Sequence, residues 1–148
     1  MKTIFDKATR SEVIQRIQSL NEHSTAQWGK MNVYQMVKHC VLCEEMYLGK
    51  KQYNRTLMGR IFGKMAINQL LKQDRPLQKN APTHSEFKMD KAQGEIEPEK
   101  ERWITLIEEY AHYPDKEFTH WFFGKMTKEQ VGYFVYKHTD HHLRQFNQ

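Results

Sequence analysis

The chain has 148 residues, of which 39% are hydrophobic and 28% charged, with a formal net charge of +5. That length and composition fit a single globular domain, 1–148, able to bury a core without disulfides. No stretch approaches the roughly 18 apolar residues of a membrane span, and Met1-Lys2-Thr3-Ile4-Phe5-Asp6-Lys7 lacks the apolar run of a secretory leader. A cytoplasmic protein with reduced Cys40 and Cys43 and no membrane partner is therefore expected.

In chain order, Thr9-x-x-Glu12 has the form of a capping box and predicts a first helix to about Glu22, with Val13, Ile14, Ile17 and Leu20 inward. A polar connection over 21–27 leads to Trp28-Gly29-Lys30-Met31 and a second cap, Asn32-x-x-Gln35. The second helix, Val33 to Leu48, is ended by Gly49 and is apolar on almost every side, which places it in the middle of the fold with His39 well inside.

From Asn54 to Lys72, apolar Leu57, Met58, Ile61, Phe62, Met65 and Leu70 alternate with Arg55, Arg60, Lys64 and Lys72, interrupted by Gly59 and Gly63. This reads as a basic amphipathic helix whose apolar side packs on the other helices and whose basic side is solvated. Binding to a partner helix or a membrane surface is the alternative. A connection over 74–94, with Pro76 and Pro82, precedes a third long helix that opens at Pro98, turns Trp103, Ile104, Leu106, Ile107 and Tyr110 inward, and ends near Pro114. After turn-rich 115–126, Thr127-x-x-Gln130 caps the last helix, which runs to about Phe146; Gly132 within it predicts a close helix contact. The start of this helix, Phe123-Gly124-Lys125-Met126-Thr127, echoes that of the second, Trp28-Gly29-Lys30-Met31-Asn32. Phe62-Gly63-Lys64-Met65 repeats the tetrapeptide without a cap and is read as coincidence.

The charge is unevenly placed. Residues 50–80 hold eight Lys and Arg against one acid, Asp74, while 86–101 hold six acids against three Lys. No nucleic-acid-binding motif accompanies the basic excess and no aromatic platforms interleave it, so no nucleic-acid partner is expected.

Chemistry concentrates near the C-terminus, in His138-Thr139-Asp140-His141-His142. At about 100° per residue, His138 and His142 fall at the centre of the apolar stripe of the last helix. His141 lies at its margin, and Asp140 and Arg144 pair on the opposite, wet side. Two imidazoles four residues apart in a core stripe have metal-chelating spacing, since burying both without partners is costly. A third ligand has to come from another helix, and His39 is the candidate by depth. Cys40 and Cys43 form the rival set, a Cys2His2 site. Against it, the two cysteines lie in mid-helix and diverge by about 60°; they read better as small buried residues, with Cys43 able to line the site. Glu44 and Gln145 are the nearest candidates to orient the ligands. The remaining histidines, His23, His84, His112 and His120, read as surface, with His120 able to border a pocket.

Gln35-Met36-Val37-Lys38-His39-Cys40, the two aromatic-Gly-Lys-Met segments and Tyr136 to Phe146 resemble the DinB/YfiT-like superfamily of metal-binding helical bundles, and within it an uncharacterised bacterial subfamily. The resemblance implies an all-α four-helix bundle with a long connection, containing the extra amphipathic helix, between bundle helices 2 and 3. It also implies a divalent metal, zinc or nickel foremost, held by His39, His138 and His142. Relatives include transferases that use low-molecular-weight thiols as cosubstrates, thiol-dependent isomerases and metal-dependent hydrolases. The expectation is therefore a thiol-dependent transferase acting on a small electrophile. The alternative is a non-catalytic bundle that binds a partner through its basic 50–79 face; a homodimer is compatible with either. Many relatives carry Arg directly after the last ligand histidine, whereas here Leu143 intervenes before Arg144.

Overall fold

A computed structural model describes residues 1–72, 76–81, 83–89 and 93–148. Asp74 and Pro82, named above for the connection, lie outside them. The described chain is mostly helical. Its helices are α1 (Lys7–Ser19), α2 (Val33–Tyr47), α3 (Leu57–Lys72), α4 (Ile96–Glu109) and α5 (Lys128–Gln145). Two 3-10 turns, Ser85–Phe87 and Tyr110–His112, and two short strands, β1 (Phe118–His120) and β2 (Gly124–Met126), complete the fold. α2 packs against α4 and α5, and α1 packs against the same two.

The local start signals hold where nothing competes with them. At Asn32 the side chain accepts from Gln35 N–H at 2.9 Å while Gln35 Oε1 accepts from Asn32 N–H at 3.0 Å. Thr127 and Gln130 make the same reciprocal pair at 3.2 and 3.1 Å. The echo between these two starts is structural: Gly29 and Gly124 both adopt left-handed backbone, φ +82° and +77°, which turns the chain into the cap. The third copy of the tetrapeptide lies inside α3 and has no such turn. At the other end of α2, the N–H groups of Gly49 and Lys50 return to the carbonyls of Met46 and Glu45, closing the helix in a Schellman arrangement.

At Thr9 the expected capping box does not form. α1 begins two residues earlier, after Asp6, and stops at Ser19, with Leu20 extended. The N-terminal segment decides this. Ile4 is fully buried, its N–H bonds Gly132 O at 3.1 Å, and buried Arg10 donates to the carbonyls of Ile4 and Phe5. Gly132 does give close contact, but to this segment and not to another helix, since a Cβ there would strike Thr3 and Phe5.

Two further expectations are corrected. The mostly helical fold also holds a small two-stranded sheet, because 115–126, expected as turns, contains a hairpin in which Phe118 pairs with Met126 and His120 with Gly124. The alternation of Phe118 and His120 marks the strand, but three residues are too few for a period-2 signal to stand out. The orientation of α3 is also inverted. Its buried residues are Gly59, Gly63 and Ile67, while Leu57, Met58, Ile61, Phe62 and Met65 are exposed. The glycine face lies so close to the hairpin that a Cβ at either position would run into the Phe122 backbone.

α2 is buried almost all around, and it carries Glu44 into the core. Tyr110 Oη donates to Glu44 Oε2 at 2.5 Å and Thr139 Oγ1 donates to Oε1 at 3.1 Å, so this one carboxyl ties α2 to the end of α4 and to α5. Burial pushes its pKa from 4.5 to about 7 against the opposing pull of these hydrogen bonds.

Two outcomes are expected. Gly63→Ala forces a methyl into the Phe122 carbonyl and destabilises the protein by about 1–3 kcal/mol in denaturant unfolding; an unchanged midpoint would show that the helix can move away freely. For Glu44, the folded chain keeps between pH 4.5 and about 7 a proton that the unfolded chain has released, so this group makes stability fall as pH rises through that window. Glu44→Gln removes that slope. The stability difference between variant and wild type therefore grows in the variant's favour by up to about 3 kcal/mol from pH 5 to pH 8, and a difference flat in pH would refute the assignment.

Candidate metal centre

α2 delivers His39 and α5 delivers His138 and His142 to one point between the helices. One ligand atom from each ring lies within 4.8 Å of the others. Ring centroids are 4.7 Å apart for His138 and His142, 4.9 Å for His39 and His142, and 5.5 Å for His39 and His138. His39 and His142 are buried and His138 is half-buried as a residue, with its Nδ1 inside.

The hydrogen bonds behind the rings set their tautomers. His39 Nδ1 lies 3.0 Å from Phe87 O, and a carbonyl only accepts, so Nδ1 carries the proton and Nε2 is left with its lone pair. The same conclusion for His142 takes one more step. Gln145 Nε2 donates to Trp28 O at 2.8 Å, which orients the amide and makes its Oε1 the acceptor for His142 Nδ1 at 2.9 Å. His142 therefore also keeps an unprotonated Nε2. His138 Nδ1 is buried without a hydrogen-bond partner among the described residues. Burial lowers the pKa of all three rings, and the neighbouring imidazoles lower those of His138 and His142 further, so the cluster is neutral near pH 7.

The other candidates separate clearly. Cys43 Sγ sits 3.6 Å from His39 Nε2 and lines the cluster, whereas Cys40 faces Met36 Sδ at 3.7 Å, which removes the Cys2His2 alternative. His141 packs edge-on against Trp28, with ring centroids 5.5 Å apart, and does not join the three. Asp140 pairs with Arg144 at 2.9 Å on the outer side, as the helical spacing predicts, and also with Arg16 at 2.9 Å. Of the two expected orienting residues Gln145 takes that part; Glu44 bonds Tyr110 and Thr139 instead.

Other residues shape the site without a sequence motif to announce them. The Phe87 carbonyl comes from a 3-10 turn in the connection. Tyr47 and Phe134 form a wall, each within about 6 Å of His138 on one side and of His120 on the other, with centroid distances of 5.8 and 6.1 Å and of 6.0 and 5.6 Å. His120, expected at the surface, is buried. Its Nδ1 accepts from the N–H groups of Phe122 and Phe123 at 3.1 and 3.3 Å, and burial pushes its pKa down to about 3. The signal that could have found it is its place between Phe118 and Trp121-Phe122-Phe123, a polar ring inside an aromatic run.

Long-range proton–nitrogen correlation spectra at pH 7 are expected to show His39 and His142 as the Nδ1–H tautomer and His120 as the opposite, Nε2–H form. Rapidly averaging tautomers at His142 would mean that Gln145 does not hold the ring.

The comparisons with known proteins bear on the chain as a whole. No curated protein and no solved structure matches it. A family model described as "Protein of unknown function (DUF1569)" matches residues 5–148. With nearly its whole length covered, this chain belongs to the DUF1569 family.

Proposed function

We propose that His39, His138 and His142 hold a divalent metal ion, zinc or nickel foremost, and that the protein is a metal-dependent enzyme. In this reading α1, α2, α4 and α5 form a DinB/YfiT-like four-helix bundle, and α3 with the hairpin is added to it. The observation that carries the proposal is the pair of fixed tautomers. Phe87 O and Gln145 Oε1 hold two imidazoles with unprotonated Nε2 atoms at a three-ring junction, as the outer hydrogen bonds of histidine ligands do. The buried, unpartnered His138 Nδ1 adds a polar atom whose cost an ion or a water would relieve.

Three neutral nitrogens and no carboxylate leave the charge of a divalent ion undiminished, which suits a site that keeps open positions. When bound, the ion supplies Lewis acidity, lowering the pKa of a water or thiol at those positions. The protein's own residues bind and orient. The rings are fixed in place, Tyr47 and Phe134 exclude water from one side, and Cys43 narrows the floor beside His39. The reaction we favour joins a low-molecular-weight thiol to a small electrophile. The sulfur bonds to the electrophilic carbon, the leaving group departs with its electron pair, and the thiol proton passes to water.

Protein freed of metal and titrated with zinc or nickel is expected to bind close to one equivalent and to gain about 4 kcal/mol of stability at a thousandfold excess over Kd. His138→Ala and His142→Ala each abolish the binding, and Gln145→Leu weakens it about 10–100-fold. No stoichiometric binding would overturn the proposal. Binding without metal-dependent consumption of any thiol in a panel with small electrophiles would leave a non-catalytic metal-binding module.

A further inference from the structure

The outward face of α3 is the largest feature that the metal centre leaves unexplained. Leu57 is 74% exposed, Met58 58%, Ile61 63%, Phe62 42% and Met65 63%. At about 100° per residue these five side chains share one arc of about 140°. Together they expose roughly 600 Å² of apolar surface, the upper end of what a monomer leaves in its largest patch. The packing of Gly59 and Gly63 onto Phe122 explains why they point away from the protein: the helix is held by its glycine ridge, and its large residues face out.

From the geometry of this patch we infer that α3 is the seam of a homodimer, in which two copies of the chain pack their 57–65 faces antiparallel about a two-fold axis at Ile61.

Symmetry points to a second copy. Leu57, Ile61 and Met65 are evenly spaced, so a two-fold axis through Ile61 sets Leu57 against Met65 of the partner subunit and Ile61 against its own equivalent. An isologous contact needs such self-complementarity. The patch is also bounded as an interface is, by exposed Asn54 before it and exposed Asn68, Gln69 and Lys72 after it. The five side chains supply about 600 Å² of the roughly 800 Å² per partner of a standard interface, and the exposed rim residues lie where the remainder would be buried. Charge argues against the lipid alternative. Arg60 and Lys64 lie along one edge of the apolar arc and Ala66 along the other, and the opposite face is the glycine ridge packed on Phe122. A helix lying in an anionic membrane surface instead carries its Lys and Arg on a solvated polar face. In the dimer the cations stay in water beside the seam. α3 carries no acid for them to meet across it, so association does not depend on charge attraction.

The test is light scattering with sedimentation on the full chain at 10–100 µM, with Ile61→Glu and Ile61→Cys beside wild type. A wild-type dimer that persists in 0.5 M salt is expected, with Ile61→Glu raising its Kd at least tenfold while circular dichroism stays unchanged. Ile61→Cys on mild oxidation is expected to give a disulfide-linked dimer, and Asn68→Cys, in the rim and about 20 Å from its own equivalent across the two-fold, is not. A wild-type monomer at 100 µM, or a dimer that Ile61→Glu leaves intact, overturns the inference. So does a monomer that floats with anionic phosphatidylserine vesicles and is released by salt, which would assign the face to lipid. Zinc or nickel binding by Ile61→Glu reads the proposed metal centre separately, so the failure of one proposal is distinguishable from that of the other.

Discussion

A helix buried almost all around has to find a partner for each polar side chain that it takes into the core, and α2 is such a helix. It carries three. His39 is satisfied by the carbonyl of Phe87, Glu44 by Tyr110 and Thr139, and Glu45 by Lys51 and Arg102. The partners come from the connection after α3, from the end of α4, from α5 and from the turn that follows α2 itself. The elements around α2 are thus fixed in register as well as packed. Apolar burial supplies most of the stabilisation but is indifferent to small slips, whereas hydrogen bonds to buried groups are not.

The same demand shapes the histidine cluster. His39 and His142 are anchored from behind by acceptors on two separate segments, Phe87 in the connection and Gln145 at the end of α5, the latter itself oriented by the Trp28 carbonyl. Gly29, left-handed and with no room for a Cβ beside Gln145 Nε2, lets that loop lie close enough. On the other side the hairpin places His120 against Tyr47 and Phe134, and its turn is backed by the glycine ridge of α3. One continuous set of contacts therefore runs from the glycine ridge of α3 through Phe122 and Phe123 to Phe134 in the aromatic wall of the cluster. The seam proposed on α3 lies on the opposite side of that helix, facing away from the wall.

Much of the architecture was legible in the residues. The caps at Asn32 and Thr127 could be read because a capping box is closed by four consecutive residues and needs nothing from elsewhere. Thr9 has the same pattern and fails, because the buried Ile4 and Arg10 draw the helix start to Lys7. His138 and His142 were legible as an inward pair from their spacing, and His39 as their neighbour from its depth in an all-round apolar helix. The Phe87 carbonyl was not, since every residue has a backbone acceptor and none advertises where a loop will aim it.

The sequence by itself determined which stretches are helical, where two of them begin, that His39, His138 and His142 face inward and which side of α3 is apolar, because these depend on short-range periodicity and local hydrogen bonds. Only the tertiary structure decided which face of α3 is buried, that His120 lies inside, and that Glu44 serves the core while Gln145 orients His142. The physical reason is common to these cases. Periodicity reports which residues share a face, but what that face meets depends on how closely two backbones approach and on which distant group is left needing a partner. At Gly63 the absence of a side chain outweighed five large apolar ones.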